Sequence, residues 1–183
     1  MRYKTIYADP PWPQKGGKIK GADSKYTIMS FDKIKLLGDF IDDISADSSH
    51  LYMWAVSNFL PEALDTMRAW GYRYITNVVW SKDRIGLGYY FRTKHEILLF
   101  GVKGNTLPPK KMSHFPSVIE APRRKHSAKP HEFYDLIEGV SPGPYMELFA
   151  RNKRNGWHSW GNEVKCDVTE NYGFWQPPLL EAA

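Results

Sequence analysis

The 183-residue chain has a single cysteine, Cys166. One thiol excludes an intrachain disulfide and a Cys-rich zinc site, and it fits a reducing, cytoplasmic setting. No apolar run approaches the roughly 18 residues that a membrane helix needs. Nothing at the N-terminus has the layout of a signal peptide. The six histidines show no metal-type spacing, and His126 and His131, both near a predicted loop, read as solvated or phosphate-facing. No internal repeat and no linker interrupts the chain. Its length suits one domain with a real core and hardly two.

What is present is an ordinary globular balance, 42% hydrophobic and 25% charged, so neither a disordered nor a fibrous protein is expected. The net charge of +5 points modestly to a polyanionic partner. Its distribution says more. Lys15, Lys18, Lys20 and Lys25 share one Gly-containing stretch, and Arg123, Arg124, Lys125 and Lys129 share another. Both read as loops. Each cluster alone is also what a solvated surface looks like.

The chain is organised around Asp9-Pro10-Pro11-Trp12. It follows Tyr3 to Ala8, a run of β-formers that predicts a buried strand. The tetrapeptide therefore stands where a strand ends, the edge at which open α/β sheets bind ligands. The prolines fix φ and remove donors. The expected product is a stiff turn with one carboxylate, carbonyls with few intrachain donors, and one indole face. Such a set suits a flat ring with an exocyclic amine, and it equally suits a Pro-rich turn with a capping Asp and a core Trp.

Further along, Ser30 caps a predicted helix through about Ile41. His50 to Val56 reads as a strand, and Pro61 opens a helix that Gly71 stops. Strands are predicted at Tyr74 to Trp80, Glu96 to Val102 and, shorter, Ser117 to Glu120. Pro130 opens a helix that Gly139 ends. Tyr145 to Ala150 and Trp157 to Trp160 complete the strands. Strands alternating with helices predict a mostly parallel α/β sheet. Gly86-Leu87-Gly88 is only a fragment of a dinucleotide fingerprint, with no helix pattern after it.

These residues together resemble the S-adenosylmethionine-dependent N6-adenine methyltransferases of the messenger-RNA adenosine methyltransferase type, including bacterial and phage members. The resemblance covers roughly residues 3–164. It runs from Asp9-Pro10-Pro11-Trp12 through Tyr26-Thr27-Ile28-Met29-Ser30, Lys94-His95-Glu96 and Gly101 to Asn105. It continues in Ser127-Ala128-Lys129-Pro130, Glu147 to Arg151 and Trp160-Gly161-Asn162-Glu163. Ile28 interrupts the family's loop motif.

The resemblance implies a Rossmann-like methyltransferase fold of circularly permuted motif order, with helices on both faces of the sheet. It implies one catalytic domain over residues 1–165 and a tail over 166–183. Methyl transfer to the adenine amine in nucleic acid, DNA ahead of RNA, is implied, with S-adenosylmethionine as cofactor and no metal. An RNA methyltransferase, an inactive nucleic-acid-binding subunit and a cytosine N4-methyltransferase are the alternatives.

Asp9, Pro10, Pro11 and Trp12 are the implied catalytic residues. Asp9, Lys129, Glu147, Phe149, Arg151, Asn162 and Glu163 are implied to hold the cofactor. Trp12, Tyr26, Lys18, Lys20, Arg123, Arg124 and Lys125 are implied to meet the substrate. Family members usually carry residues before the catalytic strand that hold the cofactor's adenine; here that contact is expected from residues 163–175, or else a weak affinity is expected. A homodimer or a partner subunit fits a small enzyme gripping a long polymer.

Overall fold

The computed structural model describes residues 1–13, 28–88, 90–105, 108–109, 115–124 and 128–168. The strands are β1 (Tyr3–Ala8), β2 (Ser45–Ala55), β3 (Arg73–Lys82), β4 (His95–Lys103), β5 (Val118–Ala121), β6 (Tyr145–Leu148) and β7 (Trp157–Trp160). The helices are α1 (Phe31–Lys35), α2 (Gly38–Ile44), α3 (Leu60–Ala69) and α4 (Glu132–Val140). One sheet holds all seven strands in the order β5-β3-β4-β2-β1-β6-β7. β1 runs parallel to β2 and β6, β6 to β7, and β3 to β5, whereas β4 is antiparallel to both β2 and β3. Six strands thus point one way and β4 the other. Asp9 leaves β1 at the edge where those six strands end.

Both faces are covered, because alternate residues of the central strands point opposite ways. On β2, Leu51, Met53 and Ala55 join a core with Ile34 of α1, Phe40 and Ile41 of α2, and Ala63 and Met67 of α3. Tyr52 and Trp54 join a second core with Phe133, Leu136 and Ile137 of α4. The layered α/β architecture with helices on both faces is the one expected.

Several element boundaries differ from expectation, β2 for instance beginning at Ser45 rather than His50, and three of the differences have a visible cause. The helix predicted from Ser30 to Ile41 is broken at Leu36 and Leu37. In a continuous helix the Ile34 carbonyl would accept from residue 38; here the Trp70 indole donates to it at 2.9 Å. Gly38 then passes so close to α3 that a Cβ would stand 2.8 Å from the Ala69 carbonyl oxygen. Helix α4 runs through Gly139 to Val140 instead of stopping there. That glycine makes room for a ring, since a Cβ would meet Phe115 at 2.7 Å. Strand β6 ends at Leu148 rather than Ala150, because Phe149 takes a φ of 61° that leaves the extended region.

Candidate active site

Strand β1 delivers Asp9 to the sheet edge, and the two prolines turn the chain sharply after it. Trp12 N–H donates to the Pro10 carbonyl at 2.8 Å, and Met29 N–H to the Pro11 carbonyl at 3.0 Å. This corrects the expectation of carbonyls with few intrachain donors. Each already accepts one bond and keeps one lone pair. Trp12 is 8% exposed, packs near Phe31, and donates its indole N–H to the Trp54 carbonyl at 3.0 Å. In this conformation the ring is part of the core.

The Asp9 side chain is 29% exposed, and its Oδ1 lies 3.0 Å from Lys129 Nζ. Lys129, 13% exposed, also stands 3.1 Å from Glu96 Oε2, and Glu96 Oε1 is 2.6 Å from Lys82 Nζ. Charges therefore alternate along Asp9, Lys129, Glu96 and Lys82. Each cation also faces an indole: Lys129 is 5.1 Å from the Trp54 ring centre and Lys82 is 5.0 Å from that of Trp80. Burial alone would pull the Lys129 ammonium down, but Asp9 and Glu96 outweigh it and hold the group above the ordinary lysine range. Burial likewise pushes Glu96 up, yet Lys129 and Lys82 bring it below the usual carboxylate range.

A cleft of about 440 Å³ opens beside this network. Its walls include five of the expected cofactor residues, namely Asp9, Lys129, Glu147, Phe149 and Arg151. The Tyr134 hydroxyl donates to Glu147 Oε1 at 2.9 Å, while Oε2 is buried without a hydrogen-bond partner. Burial pushes the Glu147 carboxyl up to about 7; the Tyr134 bond opposes this, and the Asp9 charge adds to it.

Asn162 and Glu163 follow β7 and are not on the cleft wall. Glu163 Oε1 lies 3.6 Å from Arg151 Nε, so it reaches the cleft through that residue. Asn162 Oδ1 is a second buried oxygen without a partner. Of the residues expected at the substrate, Arg123 and Arg124 are exposed. Both line a neighbouring cleft of about 640 Å³ with Trp80, Lys82, Asp83, Arg84 and Glu96, and Arg124 also borders the first cleft. Lys18, Lys20, Tyr26 and Lys125 lie outside the described residues. Val164 is buried, and Cys166 and Val168 pack against the first core.

Sequence reasoning assigned no role to Glu96, Lys82 or Tyr134. Glu96 had a signal, since it ends the Lys94-His95-Glu96 motif. Tyr134 had none, because a tyrosine on an amphipathic helix reads as core. No group of three or more potential metal ligands occurs among the described residues, and none of their helices is long and apolar enough to cross a membrane.

The sequence matches the MT-A70 family over residues 3–163. It is 30% identical to the type II methyltransferase M.MunI of a Mycoplasma species, over 92% of this chain and 81% of that protein. It is 28% identical to the human N(6)-adenosine-methyltransferase catalytic subunit METTL3, over 89% of this chain but 28% of that one. A probable N(6)-adenosine-methyltransferase MT-A70-like protein of rice is 29% identical, again over 89% of this chain and 23% of its own length. The chain thus spans most of the Mycoplasma relative and about a quarter of the two eukaryotic ones. With the match running from the first strand to the residues after the last, this chain belongs to the MT-A70 family of methyltransferases.

Proposed function

We propose that this protein transfers a methyl group from S-adenosylmethionine to the exocyclic amine of adenine in nucleic acid, with DNA ahead of RNA. The observation that carries this reading is the meeting of Asp9, Lys129 and Arg151 on one cleft at the sheet edge. DNA comes first because the chain matches M.MunI as one compact unit over most of both lengths. Residues 1–165 form the catalytic domain in this reading, Cys166 and Val168 pack against its core rather than leaving it as a tail, and the cytoplasm is the setting.

The cleft fits the cofactor's polar groups. Lys129 has three N–H donors and spends two on Asp9 and Glu96, leaving one for a carboxylate. The unpartnered oxygen of Glu147 on the cleft wall calls for a donor such as an ammonium or a ribose hydroxyl. Phe149 and the Arg151–Glu163 pair complete the surroundings of the nucleoside. When bound, S-adenosylmethionine supplies an electrophilic methyl on a sulfonium.

The chain's own residues handle the amine. Its lone pair is delocalised into the ring, which makes it a poor nucleophile. Asp9 and the remaining lone pair of the Pro10 carbonyl each accept one N–H, which favours a pyramidal nitrogen and aims its lone pair. The Asp9 charge stabilises the positive charge that develops on nitrogen. The rest is in-line positioning. The methylated amine is strongly acidic, so it loses its proton without a dedicated base. A base in a duplex has to leave the stack first.

The test is incubation of the purified protein with labelled S-adenosylmethionine and, side by side, DNA and RNA. The product is then digested and the methylated nucleoside identified. N6-methyladenine from the wild type and none from Asp9→Ala is the expected result. N4-methylcytosine overturns the choice of adenine as substrate, and equal activity in Asp9→Ala refutes the mechanism.

A further inference from the structure

The hairpin between β3 and β4 rises from the same sheet edge as Asp9. Backbone bonds close its stem, from Lys82 N–H to the Lys94 carbonyl at 2.8 Å and from Gly86 N–H to the Thr93 carbonyl at 2.7 Å. Arg92 Nε braces it by donating to the Gly86 carbonyl at 3.1 Å. Beyond the stem the chain folds back tightly. A Cβ on Gly88 would stand 1.9 Å from the Phe91 carbonyl oxygen, so only glycine passes there. This turn holds large apolar side chains in water: Leu87 is 92% exposed, Tyr90 93% and Phe91 88%. Single exposed apolar residues mean little, but a group on one braced tip marks an interaction surface.

The charges around the tip indicate what it meets. Arg84 and Arg92 flank it in sequence. Lys82, Arg84, Arg123 and Arg124 line the cleft of about 640 Å³ at its base, against the acidic Asp83 and Glu96. Lys82 is linked through Glu96 and Lys129 to Asp9. An apolar tip among cations complements a polymer with flat apolar faces inside and an anionic backbone outside. A second copy of this chain would bring another net charge of +5 to a basic surface.

We propose that Leu87, Tyr90 and Phe91 enter the base stack beside the target adenine and hold the strand open, while Arg84, Arg92 and Arg123 take the flanking phosphates. This rests on the reading of the substrate as nucleic acid. Because the tip is exposed, its removal leaves both cores intact.

The experiment compares the wild type with the triple variant Leu87→Ser, Tyr90→Ser, Phe91→Ser and the double variant Arg84→Ala, Arg123→Ala. Binding of mixed-sequence duplex and single strands is followed by fluorescence anisotropy across a salt series. Adenine-rich strands carrying 2-aminopurine report unstacking. The tip variant is expected to bind at least about ten-fold more weakly with an unchanged salt slope. It should also lose the 2-aminopurine brightening that the wild type produces. The arginine variant should lower the salt slope by about two. Wild-type binding and brightening in the tip variant overturn the proposal. So does a tip variant whose only change is a shift from dimer to monomer in sedimentation, which assigns the tip to a second copy. A wild type that binds S-adenosylmethionine yet neither binds nor methylates nucleic acid overturns the functional reading itself.

Discussion

Replacing Lys129 by methionine removes the cation that Asp9 and Glu96 share at 3.0 and 3.1 Å. Carboxylate oxygens held by one nitrogen are about 6 Å apart or less, where two charges repel by roughly 3 kcal/mol at an effective dielectric near 20. Lys82, 2.6 Å from Glu96, still offsets part of this. The net loss is therefore about 2 kcal/mol, or roughly 4–8 °C in Tm for a chain of this size. The pH dependence gives a sharper test. In the wild type Glu96 is held below its ordinary 4.5. Its contribution is present above that value and is lost as pH falls through the lower folded-state value. In the variant Glu96 keeps only Lys82 as a cationic partner, so less of that pH dependence remains. Thermal denaturation from neutral pH to below 4.5 should show the wild type losing more stability than Lys129→Met, so that the two converge on acidification. The double variant Asp9→Asn, Lys129→Met should recover most of the loss at pH 8. Parallel Tm curves for wild type and Lys129→Met across the range would show that the Glu96–Lys129 contact carries no energy, and the reasoning would fall.

Two other substitutions probe the cofactor cleft. Glu147 is raised from 4.5 to about 7, so the folded protein holds its proton more tightly than the unfolded chain does. That contribution is full below about pH 4.5 and is lost as pH rises through about 7. Glu147→Gln should flatten the decline in urea stability over this window, and an unchanged slope would assign the decline to another group. In Gly161→Ala a new Cβ would lie 2.2 Å from the Ala150 carbonyl oxygen and 2.6 Å from its nitrogen, both backbone atoms. Calorimetry should find S-adenosylmethionine binding weakened, because Arg151 and Asn162 are the adjacent residues. Stability should fall by about 1–3 kcal/mol, as in other overpacked sites. A variant with wild-type stability and affinity would show that this close approach does not position the cleft.

Much of the fold was legible because its signals are local. The β-forming run before Asp9 and the Pro61 and Gly71 bounds of α3 each stand in a few consecutive residues. The motif residues were likewise readable, and Asp9, Lys129, Glu147, Phe149 and Arg151 do share one cleft. What escaped depends on contacts between distant segments. The break after Lys35 involves an indole that donates to the Ile34 carbonyl from 36 positions away, and the glycine at 139 leaves room for the ring of Phe115. Burial of the Trp12 ring depends on the Trp54 carbonyl, 42 positions away. No periodicity encodes such pairs.

The reversed strand β4 explains why Glu96 was among the residues missed. Strands running the same way deliver their C-terminal residues to the ligand edge, and this is how Asp9 and the residues after Leu148 arrive. An antiparallel strand delivers its N-terminal residues instead. Register pairs Trp80 with Glu96 and Ala55 with Ile97, so Glu96 stands level with the ends of β2 and β3. Were β4 parallel, Glu96 would lie at the far edge and Lys129 would keep only Asp9 as an anionic partner. The same reversal joins β3 to β4 by a hairpin over the ligand edge, where a crossover helix would otherwise be needed. The one departure from a parallel sheet thus supplies both the second carboxylate that holds Lys129 and the stem that carries Leu87, Tyr90 and Phe91.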